Sequence, residues 1–187
     1  MQHTIEPASS GRAKCRGCGQ SIAKGVIRFG EVLPNPFSDG NTMTHWFHLP
    51  CAAMKRPDPF LETMPEDQPL PGSLADADHG FSPEEIGRLR EIARQGLAHR
   101  RVSRVDGAER APSGRARCRH CKEMIEKDAW RVKLVFYEEG MFNPAGFIHL
   151  ACSPEYLETS DIASRIAQFS PQLTGDDLES IQAALQE

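Results

Sequence analysis

Cys15-Arg16-Gly17-Cys18 with His48-Leu49-Pro50-Cys51, and Cys118-Arg119-His120-Cys121 with His149-Leu150-Ala151-Cys152, are the stretches that decide the fold. One pattern is written twice: C-x2-C, a gap of 29 residues in the first copy and 27 in the second, then H-x2-C. The two copies use all six cysteines of the 187-residue chain, and each triplet takes one histidine. Three thiolates and one imidazole make a closed four-ligand set for Zn2+, and a two-residue spacer lets a tight turn aim two sulfurs at one ion. Disulfide pairing would strand one thiol per triplet and would need an oxidising compartment. The opening Met1-Gln2-His3-Thr4-Ile5-Glu6 has neither a basic nor an apolar leader region, so no secretory signal is expected and an intracellular location is. Redox chemistry at a thioredoxin-like C-x2-C leaves the repeated H-x2-C unexplained. With no open coordination position for water, the two zincs are expected to be structural. His45 and His120 fall outside the spacing and read as surface residues.

The repeat extends past the ligands. Ser10-Gly11-Arg12-Ala13-Lys14-Cys15-Arg16 matches Ser113-Gly114-Arg115-Ala116-Arg117-Cys118-Arg119, and Trp46-Phe47-His48-Leu49 matches Phe147-Ile148-His149-Leu150. Such self-similarity signals a duplicated structural unit. Val26–Leu33 and Trp130–Tyr137 alternate as strands do, and 44–48 and 146–148 read as short strands delivering the ligand histidines. Trp46, Phe47 and Ile148, beside those ligands, read as core. Each copy closes with a helix. In the first, Ser82 and Glu85 form a capping box, Pro83 suits the first helical position, and Ile86, Leu89, Ile92 and Ala93 share a face up to Gly96. In the second, Thr174 and Asp177 take the capping positions, with Leu178, Ile181 and Leu185 on the buried face. Pro57–Gly80 reads as irregular, and the Arg-rich stretch 98–112 as a linker. The fold class expected is α+β: two tandem small zinc-binding domains, 8–97 and 112–187, joined by residues 98–111, each with a short antiparallel sheet and a C-terminal helix.

No run of about 18 apolar residues occurs, so neither a membrane span nor a membrane partner is expected. The formal charge of −4 excludes a uniformly basic nucleic-acid binder, but the charge is segregated. Residues 1–60 sum to +3, 61–87 to −7, 88–119 to +7 and 120–187 to −7. Arg12, Lys14 and Arg16, and their counterparts Arg115, Arg117 and Arg119, alternate along extended segments and so fall on one side of the chain. Guanidinium forks suit phosphate oxygens.

S-G-R-A-x-C-x2-C, an arginine inside a strand, F-x-D-G at 37–40, H-W-F-H at 45–48 and a closing helix after G-F-S resemble the poly(ADP-ribose) polymerase-type zinc finger. That family includes the finger at the front of a vertebrate DNA ligase. The resemblance covers nearly the whole chain as two tandem copies, the second departing at Phe142-Asn143-Pro144-Ala145-Gly146, where the F-x-D-G loop is missing. It implies recognition of DNA strand breaks by shape, through backbone phosphates and apolar stacking on the exposed base pair. By position it makes Arg12, Arg115, Arg28 and Arg131 phosphate contacts. It maps the stacking loop to Phe37 and Met43, and in the second copy to Met141 or Phe142. Stacking of this kind is worth about 1–3 kcal/mol per base.

The expected function is a non-enzymatic sensor of DNA strand breaks, acting in repair, cytoplasmic or nucleoid-associated, or nuclear in a eukaryote. Catalysis would come in trans, from a repair enzyme such as a ligase, and no small-molecule substrate is expected. A zinc-stabilised protein-interaction adaptor and a binder of RNA or single-stranded DNA stay open at this point.

Overall fold

In a computed structural model, residues 2–35, 38, 40–65 and 80–185 are described. The chain divides into two compact units, Met1–Ala98 and His99–Glu187. The first holds strands β1 (Thr4–Pro7), β2 (Ile27–Pro34) and β3 (Thr42–His48), then helices α1 (Leu49–Lys55), α2 (Pro57–Thr63) and α3 (Pro83–Ala98). The second holds a 3-10 turn at Val102–Arg104, strands β4 (Val105–Arg110), β5 (Trp130–Glu138) and β6 (Met141–His149), and helices α4 (Ser153–Leu157), α5 (Ala163–Phe169) and α6 (Gly175–Ala184). Each sheet is antiparallel with strand order as in sequence. The α+β architecture and the two tandem Cys3His units expected from the sequence are present.

Both capping boxes form. The Ser82 amide donates to Glu85 Oε2 and the Glu85 amide to Ser82 Oγ. Thr174 and Asp177 exchange the same pair of bonds. Helix α3 runs through Gly96 to Ala98 and packs Ile86, Leu89 and Ala93 against α1 and α2. Phe29, Phe47 and Phe60 fill the first core, and Phe29 touches both other rings. In the second core, Val132, Leu134, Ile148, Leu157, Ile166 and Ile181 belong to one buried cluster.

Three expectations need correction. The stretch expected as a linker is structured: Val105–Arg110 is the edge strand of the second sheet, so the second unit starts well before residue 112. Thr4–Pro7 is likewise the edge of the first sheet, so that unit starts before residue 8. Short edge strands carry too few residues for a period-two signal, but the duplication itself marks them. Glu6-Pro7-Ala8-Ser9-Ser10-Gly11-Arg12 repeats as Glu109-Arg110-Ala111-Pro112-Ser113-Gly114-Arg115, and Glu6 and Glu109 face Arg28 and Arg131 in the two sheets. The stretch expected to be irregular opens with α2, where Pro57 begins the helix and fixes the backbone for its first turn. Its residues 66–79 lie outside the described residues.

The second hairpin is longer than expected. β5 and β6 meet at Glu139-Gly140, both with positive φ (50° and 80°), which is the geometry of a tight two-residue turn. One register shift falls between Leu134 and Val135. Leu134 faces Gly146 and Val135 faces Pro144, leaving Ala145 as the extra residue of a bulge. No such shift interrupts β2 and β3.

Candidate zinc centres and nucleic-acid interface

Each unit gathers its ligands from three places: a turn holding the C-x2-C, the end of the last strand, and the start of the following helix. The turn is built alike twice. The Cys15 amide donates to Gln20 O and the Gly19 amide to Cys15 O, as the Cys118 amide does to Glu123 O and the Lys122 amide to Cys118 O. The residue closing the turn has φ of +74° (Gly19) or +68° (Lys122). The turn is fastened to the sheet by amides of the ligand region: Arg16 N donates to Trp46 O and Arg119 N to Phe147 O, at 2.8 Å each.

Cys15, Cys18, His48 and Cys51 place their donor atoms within 4.8 Å of one another, as do Cys118, Cys121, His149 and Cys152. His Nδ1 lies 3.5 Å from Cys18 Sγ in the first site, and 3.4 and 3.8 Å from Cys121 and Cys152 Sγ in the second. Tetrahedral zinc with ordinary Zn–S and Zn–N bonds puts such atoms roughly 3.6 Å apart, so the donor sets fit the ion. The His48 and His149 amides point at Cys15 and Cys118 Sγ, 3.4 Å away in both units. His149 Nε2 sits 3.2 Å from Met124 O, which places the proton there and leaves Nδ1 to ligate.

The electrostatics suit a divalent cation. Hydrogen bonds from Cys18 and Cys51 hold the Cys15 thiol far below its usual range, and the hydrogen bonds of Cys51 with Cys15 and Cys18 push Cys51 far above it. Hydrogen bonding to Cys15 and Cys18 raises His48 to about 10. In the second site burial pushes Cys118 up, but amide hydrogen bonds led by His149 overcome it and bring the thiol down to about 6. Burial and then the Cys118 charge raise Cys152 to about 12. In each site one thiol is pulled down while another is pushed up, Cys15 against Cys51 and Cys118 against Cys152. A divalent cation removes that conflict and releases the protons.

Around the first site, Arg12, Lys14 and Arg16 are exposed, and their side chains make no ion pair or hydrogen bond among the described residues. Beside them lies a cleft of about 520 Å³ between the C-x2-C turn and β3, lined by Lys14, Arg16, Gly19, Thr44 and Trp46. In the second unit Arg115, Arg117 and Arg119 are also exposed, but two are engaged. Arg117 Nη1 donates to Lys122 O at 3.3 Å, and Arg119 Nη1 to Ala145 O at 2.5 Å.

Arg28 and Arg131, expected as phosphate contacts, are not presented as free cations. They are 6% and 7% exposed. Arg28 Nη2 donates to Glu6 Oε1 at 2.7 Å and its guanidinium lies 3.5 Å from the Trp46 ring centre. Arg131 gives Nε and Nη2 to Glu109 Oε1 and lies 3.6 Å from the Phe147 ring centre. Both sit on the rung that carries the ligand histidine, since Arg28 faces His48 and Arg131 faces His149. The edge strand supplies the carboxylate, and missing that strand hides the pairing. Trp46 is thus half-buried against Arg28, while Phe47 and Ile148 are core as expected.

His45 corrects another expectation. It is buried, opposite Glu31, and desolvation followed by the charge of Arg16 lowers its pKa. His120 is half-buried and sits 3.1 Å from Glu155. Phe37 lies outside the described residues, and Met43 is half-buried on β3. Met141 and Phe142 point to opposite faces of their hairpin. Phe142 stacks on Tyr137 with ring centres 4.8 Å apart, and Met141 is 55% exposed. Cross-strand pairing puts Met141 on the face of Phe136, an exposed apolar residue that the sequence reading missed because strand alternation alone does not say which face is covered.

Two like α+β units, each closed around a Cys3His donor set, define a tandem zinc-finger protein. Residues 6–79, within the first unit, match the family described as the poly(ADP-ribose) polymerase and DNA-ligase Zn-finger region. The second repeats its ligand set and its sheet. The chain is similar to poly [ADP-ribose] polymerase 1 of Gallus gallus, 34% identical over 137 residues covering 70% of this chain and 13% of that protein. It is similar to the poly [ADP-ribose] polymerase of Sarcophaga peregrina, 29% identical over 141 residues, covering 72% and 14%. It is also similar to the polynucleotide 3'-phosphatase ZDP of Arabidopsis thaliana, 26% identical over 198 residues, covering 96% and 28%. Each alignment is longer than either unit and so takes in residues of both. The chain spans about a seventh of the polymerases and under a third of the phosphatase. Among the described residues, no helix is long and apolar enough to cross a membrane.

Proposed function

We propose that the chain binds DNA at strand breaks, with the two fingers running from β1 through α3 and from β4 through α6. The observation that carries this reading is the basic edge of the first unit. Arg12, Lys14 and Arg16 stand exposed and, among the described residues, unengaged, on a segment tied to the metal turn and beside an open cleft walled by Trp46. Cations gathered in this way suit the evenly spaced phosphates of a backbone, and they carry no base code, so recognition is by shape. The match of residues 6–79 to a finger region shared by poly(ADP-ribose) polymerases and DNA ligases supports DNA as the ligand. Arg12, Lys14, Arg16 and Arg115 serve as phosphate contacts, and Phe37 and Met43 as the stacking residues at the broken end. Both zincs use four protein ligands and act structurally, so these 187 residues provide recognition and not chemistry. A repair enzyme acting beside them supplies catalysis, in whichever compartment holds the DNA.

Fluorescence anisotropy with nicked, gapped, blunt-ended and intact duplex, and with single strands and RNA, tests this. Nicked or gapped duplex binds at least about tenfold tighter than intact duplex, and affinity falls steeply with salt. Equal affinity for all the ligands refutes it. One observation favours a second reading for the second unit: its hairpin tip combines exposed Phe136 and Met141 with exposed Glu138 and Glu139, a surface better matched to a basic protein than to phosphate.

A further inference from the structure

The two units share a backbone plan, yet the cleft beside the metal turn is open in one and bridged in the other. In the first unit Lys14 and Arg16 flank a cleft whose far wall is Thr44 and Trp46. Counting from the ligand histidines, the second unit replaces Thr44 by Ala145, His45 by Gly146 and Trp46 by Phe147, and Arg16 by Arg119. There Arg119 reaches across and donates from Nη1 to Ala145 O at 2.5 Å.

The cause is the β5–β6 bulge. Ala145 is the extra residue, so its carbonyl has no place in the ladder and takes a side-chain donor. Gly146 supplies the backbone angle beside the bulge: its φ is +86°, a conformation that a side chain would strain, and Arg119 Cδ lies in ordinary contact range of that position. The uninterrupted register of β2 and β3 frees no carbonyl for Arg16, and His45 fills the position where the second unit has glycine. The other cations near Arg119 are spent in the same way: Arg117 donates to Lys122 O, and Lys122 Nζ to Arg119 O.

We propose that the fingers are unequal grips on DNA: the first takes a phosphodiester phosphate in the Lys14–Arg16–Trp46 cleft, and in the second Arg119 occupies the equivalent space itself. This inference rests on the break-binding reading. A phosphate offered to the second unit would have to displace Arg119 and leave the Ala145 carbonyl without a donor. Arg16 has no such bond to give up among the described residues.

The test compares Arg16→Ala and Arg119→Ala in the full chain, each shown to hold two zincs, by anisotropy on nicked duplex across a salt series. Arg16→Ala weakens binding about tenfold or more and lowers the salt slope by about one. Arg119→Ala changes affinity less than about threefold, leaves the slope unchanged, and lowers the melting temperature of the second unit. Equal losses from the two variants, or a larger loss with a reduced slope from Arg119→Ala, overturn the asymmetry while leaving break binding intact. Failure of the wild-type chain to prefer nicked duplex overturns the underlying reading, and this one with it.

Discussion

Glu31 and Arg56 form a buried ion pair that the duplication has already exchanged for hydrocarbon. Arg56 Nε lies 3.0 and 2.9 Å from the two carboxylate oxygens of Glu31, and Nη2 lies 2.5 Å from Oε1. The Glu31 side chain is 2% exposed and that of Arg56 23%. Counted from the ligand histidines and the sheet register, the second unit puts Leu134 and Leu157 at these positions, both in its buried cluster. Arg56→Leu strands a buried carboxylate and should cost about 3–5 kcal/mol. Glu31→Leu should cost less, about 1–3 kcal/mol, because Arg56 already reaches solvent and can turn toward it. The double variant should fall between neutral and about 1–4 kcal/mol more stable than wild type, since it removes both desolvation penalties. Denaturant unfolding in saturating zinc measures this. A Trp130→Phe background leaves Trp46 as the reporter of the first unit, because the chain has 2 tryptophans. A double variant as unstable as the sum of the singles would refute the reasoning, since it would show two independent sites where the structure shows one pair.

Metal analysis should find two zincs per chain, and Cys51→Ser or Cys152→Ser should each remove one. A strong chelator should unfold both units, seen as loss of sheet and helix signal by circular dichroism, because structural zinc contributes roughly 10–16 kcal/mol. Gly107→Ala should destabilise the second unit by more than about 2 kcal/mol, read by thermal melting. Its φ is +95°, and a Cβ would meet Ser170 Oγ and stand 2.5 Å from Phe169 O. For His45, desolvation and then Arg16 hold the folded pKa below its ordinary 6.5, so the unfolded chain takes up the proton more readily. Its contribution to stability is intact above about 6.5 and erodes as the pH falls below that. Wild type should therefore lose stability relative to His45→Gln between pH 7.5 and 5.5. The comparison cancels proton uptake by the zinc ligands, and a constant gap would contradict it.

The metal sites were fully legible in the sequence. A coordination sphere is assembled from short spacers, and C-x2-C with H-x2-C encodes a turn and a helix start that no other use of all six cysteines explains. The capping boxes were legible for the same reason, since their bonds span three residues. The edge strands were not. Thr4–Pro7 has four residues, and nothing within them says that β2 will lie alongside. With those strands unread, the carboxylates that face Arg28 and Arg131 stay hidden.

Sequence alone determined that there are two Cys3His units and which eight side chains gather as their donor sets, because ligand spacing is local chemistry. Only the tertiary structure decided what each arginine is paired with. Arg28 and Arg131 are neutralised by carboxylates more than twenty positions away, and Arg119 is claimed by a carbonyl that a bulge freed from its ladder. Whether a cation is free depends on what the fold brings opposite it, and that partner is set by strand pairing across the chain.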